Sequence, residues 1–251
     1  HIHFTTAKWF DGFHFYALWN PIALLFPWDN WQYFMDNYVT YDDYLSTHDN
    51  LIIKHLNTLF DKDIQKFDNG IFLFPSVPQS SVLPISDLHD PKLFYCGTAW
   101  ERSANQPFRH EYVFKNLDKM NYFRIYGPKE ANGIKVWDGY DSYVGEMPFD
   151  GVSIIKEIHN CGVALALSSL EHQKCGHMSN RIYEAIASGA VVITDENLFV
   201  NKYFGDSVLC IENRGDQKKT LNQIKSQFEW ILKNKKEAKA KAKRAQEILE
   251  D

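Results

Sequence analysis

The chain is poor in the residues that build cross-linked or metal-held folds. It has four cysteines in 251 residues, at Cys96, Cys161, Cys175 and Cys210, and no two of them form a CxxC pair. Widely spaced thiols suit a reducing compartment better than a disulfide framework. Cys96, Cys161 and Cys210 sit in or beside apolar runs, where cysteine serves as a small core residue. His172, Cys175 and His177 crowd three ligand-type side chains into one short loop with no fourth partner nearby, too little for a zinc site, so no metal is expected. An excess of positive charge is absent too: 27 Lys+Arg stand against 32 Asp+Glu, a net charge of -5. That excludes a chain built mainly to grip nucleic acid. The longest apolar run, Phe13 to Trp28, is interrupted by His14, Asn20, Pro21 and Pro27 and falls short of the roughly 20 residues a spanning helix needs. No signal peptide is visible, although the chain opens His-Ile-His rather than with Met. Cysteine usage alone points to the cytoplasm.

Aromatic residues are what the chain has in surplus, at 15%. Fifteen of the 38 Phe, Tyr and Trp lie between Phe4 and Tyr44, a concentration that serves either as core or as a surface for stacking on sugar faces. The first 90 residues read as one lobe. Its elements are a buried segment around Phe15 to Phe26, a helical stretch near Trp31 to Tyr38, a strand in TYDDYLST, a helix from His48 to Phe60 and a strand in GIFLFPS. VPQSSVLPISDLHDPK has linker composition. From residue 91 apolar runs alternate with helical patterns: strands in KLFYCG, NYFRIYG, around Val144, and in GVALALSS, AVVITD and SVLCIE, with helices at 109–119, 152–159 and 179–188. Strand–helix alternation with glycine at the turns predicts a doubly wound α/β sheet. Thr220 and Gln223 read as a capping box opening the helix LNQIKSQFEWILKNKK. The tail from Lys233 to Arg244 carries seven basic residues. It reads as a solvated helical face, next as a helix returning towards the first lobe, and third as a site of peripheral membrane association, although its Ala-rich side offers little apolar area to insert.

The stretch from Ser168 to Phe204 concentrates the chemistry. A buried strand ends in two serines, a polar loop with His172, Lys174 and His177 follows, and Ser179-Asn180-Arg181 opens a helix. A helix start beyond the carboxyl end of a parallel strand presents free N–H groups and a positive dipole to the ligand crevice of an open sheet, which is what a diphosphate requires. Arg181 can add a charge-assisted bond, and Glu184, one turn on, can take the two hydroxyls of a ribose. The bland alternative is an i,i+3 surface pair between Arg181 and Glu184. Arg109 reads as an exposed helix residue.

SNRIYEAIASGAVVITDENLFVNKYFGDSVLCIE, together with YCGTAWERS and RIYGP upstream, resembles the C-terminal nucleotide-sugar-binding domain of GT-B glycosyltransferases, in particular the group 1 type related to CgeB-like proteins. The resemblance covers roughly residues 92 to 213. It implies an α/β, GT-B-like architecture of two Rossmann-like lobes facing a cleft, divided as 1–90, 91–215 and a C-terminal helix and tail 216–251. Two full lobes need roughly 300 residues or more, so the first lobe is expected to be abbreviated or truncated. The resemblance further implies that Ser179, Asn180 and Arg181 hold the diphosphate and that Glu184 binds the ribose; Lys174 and His177 of the preceding loop are either further donor ligands or, with His172, solvated loop residues. Gly97 and Arg102 would flank the phosphates, and Tyr126, Gly127, Tyr143 and Val144 would border the base. Many retaining members carry two glutamates separated by seven residues; here the earlier position is Gly176 and the nearest upstream acid is Glu171. The resemblance therefore implies no stereochemical course.

In such enzymes the acceptor lies on the first lobe, and the catalytic base usually comes from it. His14 is the first candidate and Asp11 the second, with Asp29 and His48-Asp49 also beside turn residues; a histidine titrates near neutral pH. The expected activity is metal-independent transfer of a sugar from a nucleotide-diphosphate sugar, without a cofactor, to a glycan or lipid-linked acceptor, in the cytoplasm or at the inner membrane face. A non-catalytic glycan-binding module and an epimerase or hydrolase of the same architecture remain alternatives.

Overall fold

A computed structural model of the chain describes residues 76–169, 172–173, 178–212 and 215–250, together with the backbone of two short strands, Phe15–Leu18 (β1) and Asp43–Ser46 (β2). The other elements expected in the first 75 residues lie outside the described residues. Contacts divide the chain into two compact units. One comprises His1–Pro75, Ser168–Met178 and Asn197–Phe199; the other comprises Ser76–Leu167, Ser179–Glu196 and Val200–Asp251. In the first, β1 and β2 pair in parallel, Phe15 opposite Asp43 and Leu18 opposite Ser46.

The second unit is built on a six-stranded, all-parallel sheet. Its strands are Lys92–Cys96 (β3), Phe123–Tyr126 (β4), Tyr143–Gly145 (β5), Gly162–Ala166 (β6), Val191–Asp195 (β7) and Leu209–Ile211 (β8), in the spatial order β5-β4-β3-β6-β7-β8. The helices are Trp100–Ser103 (α1), Glu111–Leu117 (α2), Ser153–Cys161 (α3), Asn180–Ala187 (α4), Leu198–Tyr203 (α5), Gln217–Lys233 (α6) and Lys235–Glu250 (α7). β6 and β7 are buried along their whole length, as continuous apolar strands covered on both faces should be. α3 starts where the Asp150 carboxylate accepts from the N–H groups of Val152 and Ser153, at 2.9 and 2.8 Å. It buries Ile154, Ile155, Ile158 and Cys161 and stops at Gly162, whose φ of 79° is a left-handed helix end. On the β3–β4 side the core is aromatic: Tyr95, Phe108 and Phe114 each meet Trp137, the first two edge-to-face and the third stacked.

Two expectations are corrected. The capping box at Thr220 does not form. α6 begins a turn earlier, with the Asp216 carboxylate accepting from the Lys219 N–H at 3.0 Å, and the Thr220 hydroxyl donates to the carbonyls of Glu212 and Asp216, each at 3.1 Å. The proline-rich stretch is no free linker either. The N–H of Leu83 donates to Ala187 O (2.8 Å) and that of Ser86 to Gly189 O (2.9 Å), and Leu88 is buried. Gly189 is required there, because a β-carbon on it would overlap the Pro84 carbonyl.

Candidate functional site

The strand order locates the crevice. From β3 the chain runs outward through β4 to β5, then crosses to the other side of β3 for β6, β7 and β8. The order reverses between β3 and β6, and ligands of open α/β sheets bind at the carboxyl ends of the strands beside such a point. The loop leaving β3 there begins Gly97-Thr98, and α4 is the helix that follows β6.

α4 starts because Ser179 caps it: with its backbone extended, its hydroxyl accepts from the Arg181 N–H at 3.3 Å. The helix buries Ile182, Tyr183, Ala185, Ile186 and Ala187, which turns Asn180, Arg181 and Glu184 the other way. Asn180 is exposed. Arg181 and Glu184 form an ion pair through Arg181 Nη1 and Glu184 Oε2, and each side chain is three-quarters buried. Burial raises the Glu184 carboxyl above its ordinary range, while the charge and hydrogen bond of Arg181 pull it back. The surface-pair reading therefore gives way to a sequestered carboxylate–guanidinium couple, and the buried Nε of Arg181 still meets no protein acceptor among the described residues. At the end of β3 the Cys96 thiol is pushed up by burial, with the charges of Arg181 and Glu184 acting on it in opposite senses. The couple stands on the helix that follows β6, the strand paired with β3.

The glycines shape the other wall. Gly97 N–H donates to Tyr126 O (3.1 Å) and Gly127 N–H to Gly145 O (3.1 Å). Gly127 adopts φ 151°, and a β-carbon on it would overlap the Gly97 carbonyl oxygen. The Tyr143 hydroxyl donates to Gly127 O at 3.0 Å, and Val144 beside it is exposed.

Two expected ligands are spent elsewhere. The Arg102 guanidinium donates to Val136 O (2.8 Å) and Asp138 O (3.1 Å) and lies over the Tyr140 ring, so it fastens α1 to the 136–140 turn instead of facing a phosphate. The Tyr126 ring stacks on Phe94, and its hydroxyl donates to Glu157 at 2.5 Å; only its backbone borders the glycine loop. Arg109 is not the exposed helix residue that the sequence suggests: it precedes α2 and is partly buried. It pairs with Glu101 at 3.2 Å, is two-thirds buried, and keeps its Nε buried without a protein acceptor among the described residues. It is also the charge that most lowers the otherwise elevated pKa of the buried Tyr95 phenol, to which Arg181 contributes as well. A basic residue followed by a helix start gave no stronger signal than that. Ser169 and His172 form a turn of their own, with Ser169 Oγ 2.7 Å from His172 Nδ1. His14, Asp11, Lys174 and His177 lie outside the described residues.

The fold recurs in known structures. The chain matches an OtsA apo structure (TM-score 0.58, 11% identity, 94% of this chain and 63% of that one). It also matches the E. coli structure described as trehalose-6-phosphate bound with UDP-2-fluoro glucose (TM-score 0.61, 10% identity, the same coverages), and TarM (TM-score 0.52, 14% identity, 87% of this chain and 42% of that one). The chain therefore spans between two-fifths and two-thirds of the length of these proteins, and at such identities they establish the fold, which is GT-B-like. No curated protein sequence matches. A family model described as glycosyl transferase-like covers residues 107–251, more than half of the chain, and so the protein belongs to the glycosyl transferase-like family.

Proposed function

We propose that the protein is a glycosyltransferase that takes a hexosyl or deoxyhexosyl unit from a nucleotide-diphosphate sugar and transfers it to a glycan or lipid-linked acceptor in polysaccharide biosynthesis. The observation that carries this reading is the sequestered Arg181–Glu184 couple on a Ser179-capped helix beside the switch point, in a chain of this family. The positive end of the α4 dipole and the Nε of Arg181, which has no protein acceptor among the described residues, suit a diphosphate; the Glu184 carboxylate suits paired hydroxyls. In the transfer, the acceptor oxygen forms a bond to the anomeric carbon. The bond from that carbon to the β-phosphate oxygen breaks, its electron pair leaves with the nucleoside diphosphate, and the acceptor proton passes to a base. His14 is the first candidate for that base and Asp11 the second. Arg181 and the helix dipole stabilise the charge that develops on the departing diphosphate, so the reaction proceeds without a divalent cation.

The test is a thermal-shift screen against UDP, GDP, ADP, CMP and TDP in the presence of EDTA. One diphosphate raises the melting temperature by mass action, and Arg181→Ala and Glu184→Ala each remove the shift while still folding. Unchanged affinity in both variants overturns the assignment of the site.

A further inference from the structure

We propose that the joint between α6 and α7 is a docking face for an anionic lipid surface. Charge is unevenly distributed along this chain. Residues 217–250 hold ten of the 27 basic and four of the 32 acidic residues, so these two helices carry +6 and the rest of the chain carries -11. The fold turns that segregation into a surface. α7 buries Ala238, Ala242 and Ala245, which sends its lysines outward, and Lys236, Lys239 and Lys243 follow one another at i, i+3 and i+7 along one stripe. At the joint itself Lys233, Lys235 and Lys236 are all exposed. Some of the basic residues are committed within the unit: Lys239 pairs with Asp87 at 3.1 Å, Arg244 lies 3.9 Å from Asp206, and Lys241 donates to Asp206 O. Lys235 donates to His89 O at 3.3 Å. Lys233 and Lys236 pair with no carboxylate among the described residues, and Lys243 reaches only Glu247, at 3.9 Å, with its side chain 71% exposed.

Two features select a bilayer over a polyanionic chain. Leu232 sits among these lysines with 41% of its surface exposed, an apolar contact that suits the acyl boundary. A nucleic acid or polyanionic glycan has no apolar boundary for that leucine, and a chain of net charge -5 offers such a polyanion no excess of basic residues to follow. At physiological ionic strength the screening length is about 8 Å, so acidic residues farther than that from the contacting lysines weaken the attraction little. One exposed leucine adds little area, and the attachment is therefore electrostatic and reversible.

The experiment is co-sedimentation of the full chain with vesicles of phosphatidylcholine alone and of phosphatidylcholine mixed with phosphatidylglycerol. Binding is expected only to the mixed vesicles, with release on adding salt. K233E/K236E/K243E is expected to weaken partitioning by about a hundredfold or more, each lysine contributing about fivefold. The melting temperature and the nucleoside diphosphate shift of that variant are expected to be unchanged, which separates this inference from the donor-site reading. Equal sedimentation with both vesicle types, none with the mixed vesicles, undiminished binding by the triple variant, or tighter retention by heparin than by the mixed vesicles overturns the proposal.

Discussion

The Gly97 carbonyl and the Gly127 α-carbon approach so closely that a β-carbon on Gly127 has no room: it would overlap that oxygen and lie 2.8 Å from Trp137 Nε1. The φ of 151° at Gly127 adds strain for any other residue. Both neighbours are fixed, Gly97 by its bond to Tyr126 O and Trp137 by the aromatic core. Gly127→Ala is therefore expected to cost about 3 kcal/mol or more, read as a lowered urea midpoint. Because the two glycines form one wall of the crevice, nucleotide affinity should fall in the same variant. An unshifted midpoint would mean that the wall yields.

Strands and the site helix were legible because their signals are local. GVALA and AVVI are uninterrupted apolar runs, and Ser179 before an amphipathic stretch marks a helix start without reference to anything distant. What could not be read depends on remote partners. Thr220 satisfied a capping pattern, yet Asp216 four residues earlier was an equally good cap, and the choice was settled by the Glu212 carbonyl, to which the Thr220 hydroxyl donates. The proline-rich stretch has linker composition, but its N–H groups find the carbonyls of Ala187 and Gly189 about a hundred residues on. Arg102 follows a glycine loop, as a phosphate ligand would, and its acceptors are 34 and 36 residues downstream. Arg109 carries no pattern of its own; what draws it out of solvent is its pairing with Glu101, eight residues earlier.

The contrast between two arginines gives a second prediction. Arg102→Ala removes two hydrogen bonds from a charged group to carbonyls and should cost about 1–3 kcal/mol of stability, while nucleoside diphosphate affinity measured by calorimetry stays within about twofold, well under 1 kcal/mol. Arg181→Ala should do the reverse and weaken the diphosphate by about 10–100-fold. A large affinity loss in Arg102→Ala would restore it to the phosphate site.

His110 supplies a pH dependence. It is buried between Phe108 and Phe114, and burial, aided by the Arg109 charge, lowers its pKa from 6.5 to about 3. The folded state thus keeps His110 neutral, while the unfolded chain binds a proton below pH 6.5. The stability contribution is complete above 6.5 and is lost progressively as pH falls from there towards about 3. The slope is about 1.4 kcal/mol per pH unit, hence about 2 kcal/mol between pH 6.5 and 5, a window above the ordinary carboxylate range. In urea unfolding at those two pH values, His110→Phe should remove this difference from the total. A variant with the same pH slope as the parent would show that another group carries it.

Glu184 offers the sharpest test of the donor reading, because its two suggested roles respond differently to the ligand. If its carboxylate only restrains Arg181, Glu184→Ala changes affinity for a ribonucleoside diphosphate and for its 2′,3′-dideoxy counterpart by the same factor. If it holds the ribose hydroxyls, the substitution weakens the ribonucleotide by about 10–100-fold, the range of hydrogen bonds to a charged group, and leaves the dideoxy ligand nearly unaffected. The second outcome is expected. The hydroxyls need the ionised carboxylate, whose pKa burial raises, so parent affinity for the ribonucleotide should decline as pH falls through that raised value while affinity for the dideoxy ligand does not follow it. A double-mutant cycle across protein and ligand, measured by calorimetry at two pH values, resolves both points, and a coupling of zero would assign Glu184 to the helix alone.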